Sequence, residues 1–305
     1  MIHLHPDTDL AGATWIDLVS PTEDERQRVL AATGLRAPAE HEVSEIETSS
    51  RLVVANGIYT LSTPLITRAA DGSPELTPVG FVLGARALVT VRFAPIATFD
   101  EARRVCRAQN AATAEESFLH LFEVVVDKAA DVLEHAGAEC DAISHGAFRD
   151  RKVDPGGLRK TLRRIGLVAD QLSHVRDSLL GIGRIASFVT QGGAEGAPHV
   201  SARRMHAIHA DVVSLTDYEA HLSNKLQFLL DATLGFISIE QNEIVKTLTI
   251  ASVVGIPPVI VVGIYGMNFH AMPELHWPYG YPLALLLMVV SGLVPLIWFK
   301  VRGWM

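Results

Sequence analysis

Two stretches of the chain carry no charged side chain at all: residues 248–267 and residues 281–299. Each has about the length an α-helix needs to cross the hydrocarbon core of a bilayer, ~20 residues at ~1.5 Å rise. Residues 268–280 between them are polar and aromatic, and too few to fold alone. The expectation is therefore an integral membrane protein with a hairpin of two spans. The competing reading is a buried hairpin of a soluble core. Run length, with Lys246 just before the first stretch and Lys300 just after the second, argues against it. Lys246, Lys300 and Arg302 flank the pair, whereas the connecting segment holds no Lys or Arg and only Glu274 as an acid. The bias of positive charge towards the inside puts both termini in the cytoplasm. Tyr265, Trp277, Tyr279 and Tyr281 at one boundary, and Trp298 and Trp304 at the other, suit interfacial aromatic belts.

About 245 residues precede the spans, enough for a sizeable core or two subdomains. A formal charge of −8 over 305 residues argues against nucleic acid as a partner and is compatible with cations. The two cysteines, Cys106 and Cys140, lack metal-type spacing, so neither a disulfide framework nor a structural zinc site is expected. The first ten residues, MIHLHPDTDL, have no basic and apolar leader pattern, so no cleaved signal is expected.

The first ~110 residues alternate strand-like and helix-like pieces. Trp15–Val19 is a short apolar run, and Ser20-Pro21-Thr22-Glu23 reads as a helix start with Ser20 as cap and Gly34 as stop. Residues 38–47 suggest a second short helix whose Glu40, Glu42, Glu45 and Glu47 do not share one face, so a solvated surface is preferred to a cation site. Residues 52–55, 58–66, 79–83 and 87–93 read as strands, with a turn at Asp71-Gly72-Ser73-Pro74, and residues 96–108 as helix. The domain class is α/β with a mixed sheet. From Thr113 the pattern is wholly helical, with Thr113 and Glu116 as a capping box and Asp154-Pro155 opening a second helix. Residues 191–198 form a Gly/Ala-rich turn. From Ser201 no strong stop precedes the membrane, so a stalk helix runs directly into the first span, ~100 Å if continuous. Pro257-Pro258 falls within it and is expected to bend it locally in the membrane, where neighbouring helices can compensate. The apolar stripe of so long a helix needs partner helices, which predicts a homo-oligomer.

The segment Tyr265-Gly266-Met267-Asn268, followed by Met272-Pro273-Glu274-Leu275, closes the first span. It resembles the signature of the CorA family of divalent-cation channels, a YGMN tetrapeptide at the end of the first of two C-terminal spans. WIDLVSPTEDE, FVLGARALVTVRF, NEIVKTLTI and the closing KVRGWM extend the resemblance over most of the chain, most weakly between residues 149 and 200. The residues themselves support an ion-facing role for Asn268. Magnesium is small, prefers octahedral oxygen ligation and gives up water reluctantly. A ring of neutral amide oxygens can hydrogen-bond the hydrated ion without holding it as tightly as carboxylates would. Gly266 allows close backbone approach, so its carbonyl and Met267 would complete the selectivity filter. The alternative is that Asn268 only caps the helix.

The resemblance implies a pentameric funnel with a pore stripe of Gly263, Val259, Ile256, Leu248, Val245, Asn242 and Asp231. In it Asn242 would supply a second hydrated-ion site, Asp231 an acidic ring at the inner mouth, and Val245 with Leu248 an apolar constriction; for Val245, Leu248, Ile256 and Val259 the alternative is ordinary helix–helix packing. Val259 stands where the family commonly has threonine, so no ion site is carried over at that level. Glu274 would concentrate cations at the outer mouth or serve only loop solvation. The family also binds regulatory magnesium between cytoplasmic domains. Asp211 is the candidate here, and His206 and His209 read as solvated surface histidines rather than ligands for softer metals. The expected division is 1–110, a cytoplasmic α/β domain; 111–247, a helical region with the stalk; 248–267, the pore span; 268–280, the outer loop; 281–299, the second span; and 300–305, a basic tail. The implied function is channel-type entry of magnesium, with cobalt and nickel as further ions, across the cell (inner) membrane, gated by cytoplasmic magnesium. Magnesium is thus the transported and regulatory ion, with no tightly bound cofactor, and the partners are the bilayer, the cations and further copies of the chain. No nucleotide motif or nucleophile–base pattern points to an enzyme. The alternatives are a zinc transporter of the same superfamily, similar to ZntB, and a non-conducting membrane-anchored sensor or scaffold.

Overall fold

A computed structural model of the chain describes residues 1–6, 9–45, 51–68, 74–149, 155–191, 198–267 and 272–304. They divide into two compact units, Met1–Leu230 and Asp231–Met305, taken in turn.

The first unit begins with a six-stranded sheet of β1 (Ile2–His5), β2 (Trp15–Val19), β3 (Leu52–Ala55), β4 (Ile58–Arg68), β5 (Pro74–Leu83) and β6 (Leu88–Arg92). The strand order is β1-β2-β6-β5-β4-β3, with β2 and β6 parallel and every other pair antiparallel, so the sheet is mixed as expected. Side chains alternate between faces along each strand. Ile16, Leu18, Val82, Val89 and Val91 pack with Val29 of α1 (Glu23–Thr33) on one face. Trp15, Leu61, Phe81 and Leu88 face the other, against Phe99 of α3 (Ala97–Ala108) and Phe118 and Phe122 of α4 (Ala114–Arg149). Apolar residues on both sides of the strands explain their near-continuous hydrophobic runs. The short α2 spans Glu40–Ser44, and Glu42 pairs with Arg36 while accepting from the Ala39 N–H. Glu47 and residues 71–73, read above as helix and turn, lie outside the described residues.

The cap of α1 differs from expectation. Thr22, not Ser20, holds the N-cap: its hydroxyl accepts from the Glu25 N–H at 3.2 Å, and the Glu25 carboxylate accepts from the Thr22 N–H at 3.0 Å. Ser20 sits at φ 44° and donates its hydroxyl to the Phe93 carbonyl, a contact set by the neighbouring strand end. The stop at Gly34 is as expected, with φ 73°.

Beneath the sheet, α4 pairs with α5 (Pro155–Thr190) and with the first part of α6 (Ala202–Tyr265). The polar contacts between α4 and α6 advance together along both helices. Ser201 N–H donates to Glu115, Arg204 forks onto Glu123, Lys225 donates to Asp141, and Phe148 stacks on Phe228 at 6.0 Å. The two helices are therefore parallel over this stretch. Glu219 of α6, fully buried, is held by Arg176 of α5 and by Ser223.

The second unit holds the remainder of α6, a 3₁₀ turn at Pro273–His276 and α7 (Gly280–Val301). Helix α6 runs unbroken for 64 residues, with Pro257 and Pro258 inside it, as the absence of a stop signal predicted. It and the 22-residue α7 are the two described helices long and apolar enough to cross a membrane.

Candidate functional site

The residues expected to face ions lie on the second-unit part of α6. At ~100° per residue, Asp231, Asn242, Val245, Leu248, Ile256, Val259 and Gly263 fall within an arc of about 120°. All seven are exposed, with Leu248 and Val259 at 67% and 68%. The half-buried positions Ile250, Val254, Pro258, Val261 and Tyr265 recur every three or four residues on roughly the opposite side. That side meets α7: a methyl placed on Gly292 would lie 3.5 Å from Pro258 and 3.7 Å from the Val254 carbonyl. The second span thus packs behind the stripe and leaves it open.

At the end of α6 the Gly266 N–H bonds to the Val262 carbonyl at 2.9 Å and Met267 N–H to the Ile264 carbonyl at 3.3 Å, which closes the helix. Met267 is 47% exposed. Asn268 itself lies outside the described residues. Glu274 belongs to the 3₁₀ turn.

In the first unit, Asp211 is exposed on α6 and contributes to the field around Asp127 of α4. Burial pushes the Asp127 carboxyl above the usual aspartate range, and Asp131, Glu123 and Asp211 push it further, against Lys128. These α4 acids recur at Glu123, Asp127 and Asp131, a spacing of four that sequence inspection alone would reveal; their meeting with Asp211 required the parallel docking of α6. No group of three or more His, Cys, Asp or Glu set to hold a metal is found among the described residues. His206 is exposed and His209 half-buried.

A family model described as CorA-like Mg2+ transporter protein matches residues 11–301. The chain belongs to the CorA family. Curated relatives named magnesium transport protein CorA include one from Haemophilus ducreyi, 33% identical over 97% of this chain and 93% of that one. Another, from Escherichia coli, is 32% identical over the same shares. Among solved structures, the complete CorA magnesium transporter of Methanocaldococcus jannaschii superposes with a TM-score of 0.74 at 19% identity, covering 95% of this chain and 91% of that one. The cytoplasmic domain of ZntB from Vibrio parahaemolyticus gives 0.54 at 12% identity over 73% of this chain and 87% of its own. At such identities these two likenesses speak for fold alone. CorA membership places the chain among membrane ion transporters and not among enzymes.

Proposed function

We propose that this CorA-family chain conducts divalent cations, chiefly magnesium, into the cytoplasm through a pore on the shared axis of a homo-oligomer, a pentamer by family resemblance. The single observation that carries this is the open stripe from Asp231 to Gly263, which runs up to the YGMN signature and which α7 leaves uncovered. In this reading Gly266, Met267 and Asn268 form the filter, Asn242 and Asp231 line the inner path, Val245 and Leu248 gate by dewetting, and Glu274 focuses cations outside. Both termini are cytoplasmic. The membrane potential supplies ~2.3 kcal/mol per elementary charge per 100 mV, twice that for a divalent ion. Cobalt and nickel share the path. The acids around Asp127 and Asp211 support a regulatory role for internal magnesium, which would relieve their mutual repulsion. The magnesium named for the curated relatives, and an intact Met272-Pro273-Glu274-Leu275, favour magnesium over zinc.

Reconstitution in vesicles with an internal magnesium indicator tests the proposal. Uptake should follow an inside-negative potential, and Asn268→Ala should slow it by at least about tenfold, since one hydrogen bond of ~1 kcal/mol is worth about fivefold and every subunit loses one. A non-conducting scaffold would pass no ion in either form, and zinc outcompeting magnesium would reassign the substrate.

A further inference from the structure

The inner end of the membrane hairpin collects positive charge from both helices. Gly292 of α7 lies against Val254 of α6, and the two helices run in opposite directions. Lys246 lies eight residues before Val254 and Lys300 eight residues after Gly292, each ~12 Å from that contact along its helix. Counted along the two helices they reach about the same level, and Arg302 follows two residues after Lys300. Gly303, at φ 71°, turns the chain back so that Trp304 stacks on Phe299 at 5.4 Å and its N–H donates to the Phe299 carbonyl. The Arg302 guanidinium lies over the Trp298 ring at 5.2 Å. The tail is thus folded onto the last turn of α7.

None of these three cations forms an ion pair with a carboxylate among the described residues, whereas Arg92, Arg164, Arg176, Arg204 and Lys225 of the first unit all do. Glu243, one turn before Lys246, is exposed and is not paired with it among those residues. The dipole of α7 accounts for positive charge at its own C-terminus, but not for Lys246, which lies inside α6. What the three share is a level at the end of two apolar helices, where lipid phosphates lie.

We propose that Lys246, Lys300 and Arg302 form a binding site for the phosphate of an anionic membrane lipid, which ties the inner ends of α6 and α7 together. The phosphodiester is held between the two helices, with Trp298 and Trp304 against the upper acyl chain, their amphipathic rings suited to that depth. This rests on the membrane reading of the two helices, not on conduction.

Fluorescence quenching by brominated lipids reads lipid contact directly. The full-length chain carrying Trp277→Phe leaves Trp298 and Trp304 as the membrane reporters, since Trp15 is buried in the α/β core at 1% exposure. In vesicles of phosphatidylcholine and phosphatidylglycerol, with one or the other brominated, the binding preference for phosphatidylglycerol should be about fivefold or more, given ~1 kcal/mol per basic residue near a charged surface. Lys246→Gln should reduce it, and the triple variant K246Q/K300Q/R302Q should bring it to about one while quenching by brominated phosphatidylcholine persists. Equal binding of both lipids by the parent, an unchanged preference in the variants, or displacement by millimolar inorganic phosphate would each overturn the site. No quenching by either lipid would overturn the membrane reading too, and is distinguishable on that account.

Discussion

Asp17 is a residue whose environment no local pattern announces. It is 1% exposed on β2, takes two hydrogen bonds from Arg92 of β6 at 2.9 and 3.2 Å, and one each from Arg103 of α3 and Thr90. Thr90 in turn accepts from the Trp15 indole at 3.0 Å, and the Arg92 guanidinium lies over Phe99. Removing one member of a buried charged network strands the others, at a cost of about 3–5 kcal/mol. Asp17→Ala should therefore lower the urea midpoint sharply, while Arg104→Ala, an exposed i,i+3 pair with Glu101, should shift it little. Asp127 behaves in the opposite sense. Its carboxyl is held above the ordinary range by burial and then by neighbouring acids, so the stability it contributes is full below that range and is lost as pH rises through the raised value. Asp127→Asn should melt higher than the parent at pH 7 in chelator, and equal to it at pH 3. Magnesium should raise the parent's melting temperature at pH 7 more than the variant's, if the patch takes the ion.

At the scale of elements, packing overrides the sequence reading that puts Ser20 at the cap of α1. Ser20 and Thr22 both precede the apolar pattern of α1, and each has a candidate Glu three residues on. The end of β6 draws Ser20 to Phe93, which leaves Thr22 to cap. Thr22→Ala should cost ~1 kcal/mol and Ser20→Ala less, by thermal denaturation. The docking of α5 on the sheet also depends on one small residue. A Cβ on Gly181 would run into the Thr63 hydroxyl of β4, so Gly181→Ala should destabilise by about 1–3 kcal/mol, with Thr63→Ala, which removes that hydroxyl, giving partial relief. Glycine at this helical position carries no turn signal, and only the approach of β4 gives it meaning.

For the molecule as a whole, the decisive feature is an apolar and polar stripe that its own second span does not cover. Ile239, Ile244, Val245, Leu248, Ile256 and Val259 all stay more than half exposed in the single chain. Lipid suits those within the span, whereas Ile239, Ile244 and Val245 belong to the stalk below it, outside the hydrocarbon. Packing of α6 against further copies of the chain would cover the exposed stalk positions, so the detergent-solubilised protein should run at a multiple of the 33.1 kDa chain. Leu248→Asn should hydrate the proposed constriction and raise resting cation leak in vesicles, whereas Gly292→Ala, which meets Pro258 at ordinary contact distance, should leave both assembly and flux unchanged.

Two charge-free runs, their basic flanks and the YGMN tetrapeptide determined the membrane hairpin and the family from sequence alone, because those signals are contiguous and need no partner from elsewhere in the chain. The unbroken stalk helix followed for the same reason: nothing between Ser201 and Tyr265 stops it. Tertiary structure alone decided which face of that helix α7 covers, which hydroxyl caps α1, and that Asp17 meets two arginines 75 and 86 residues away. Each of these depends on contacts between segments distant in sequence, whose register is set by the packing of whole elements and not by the residues that meet.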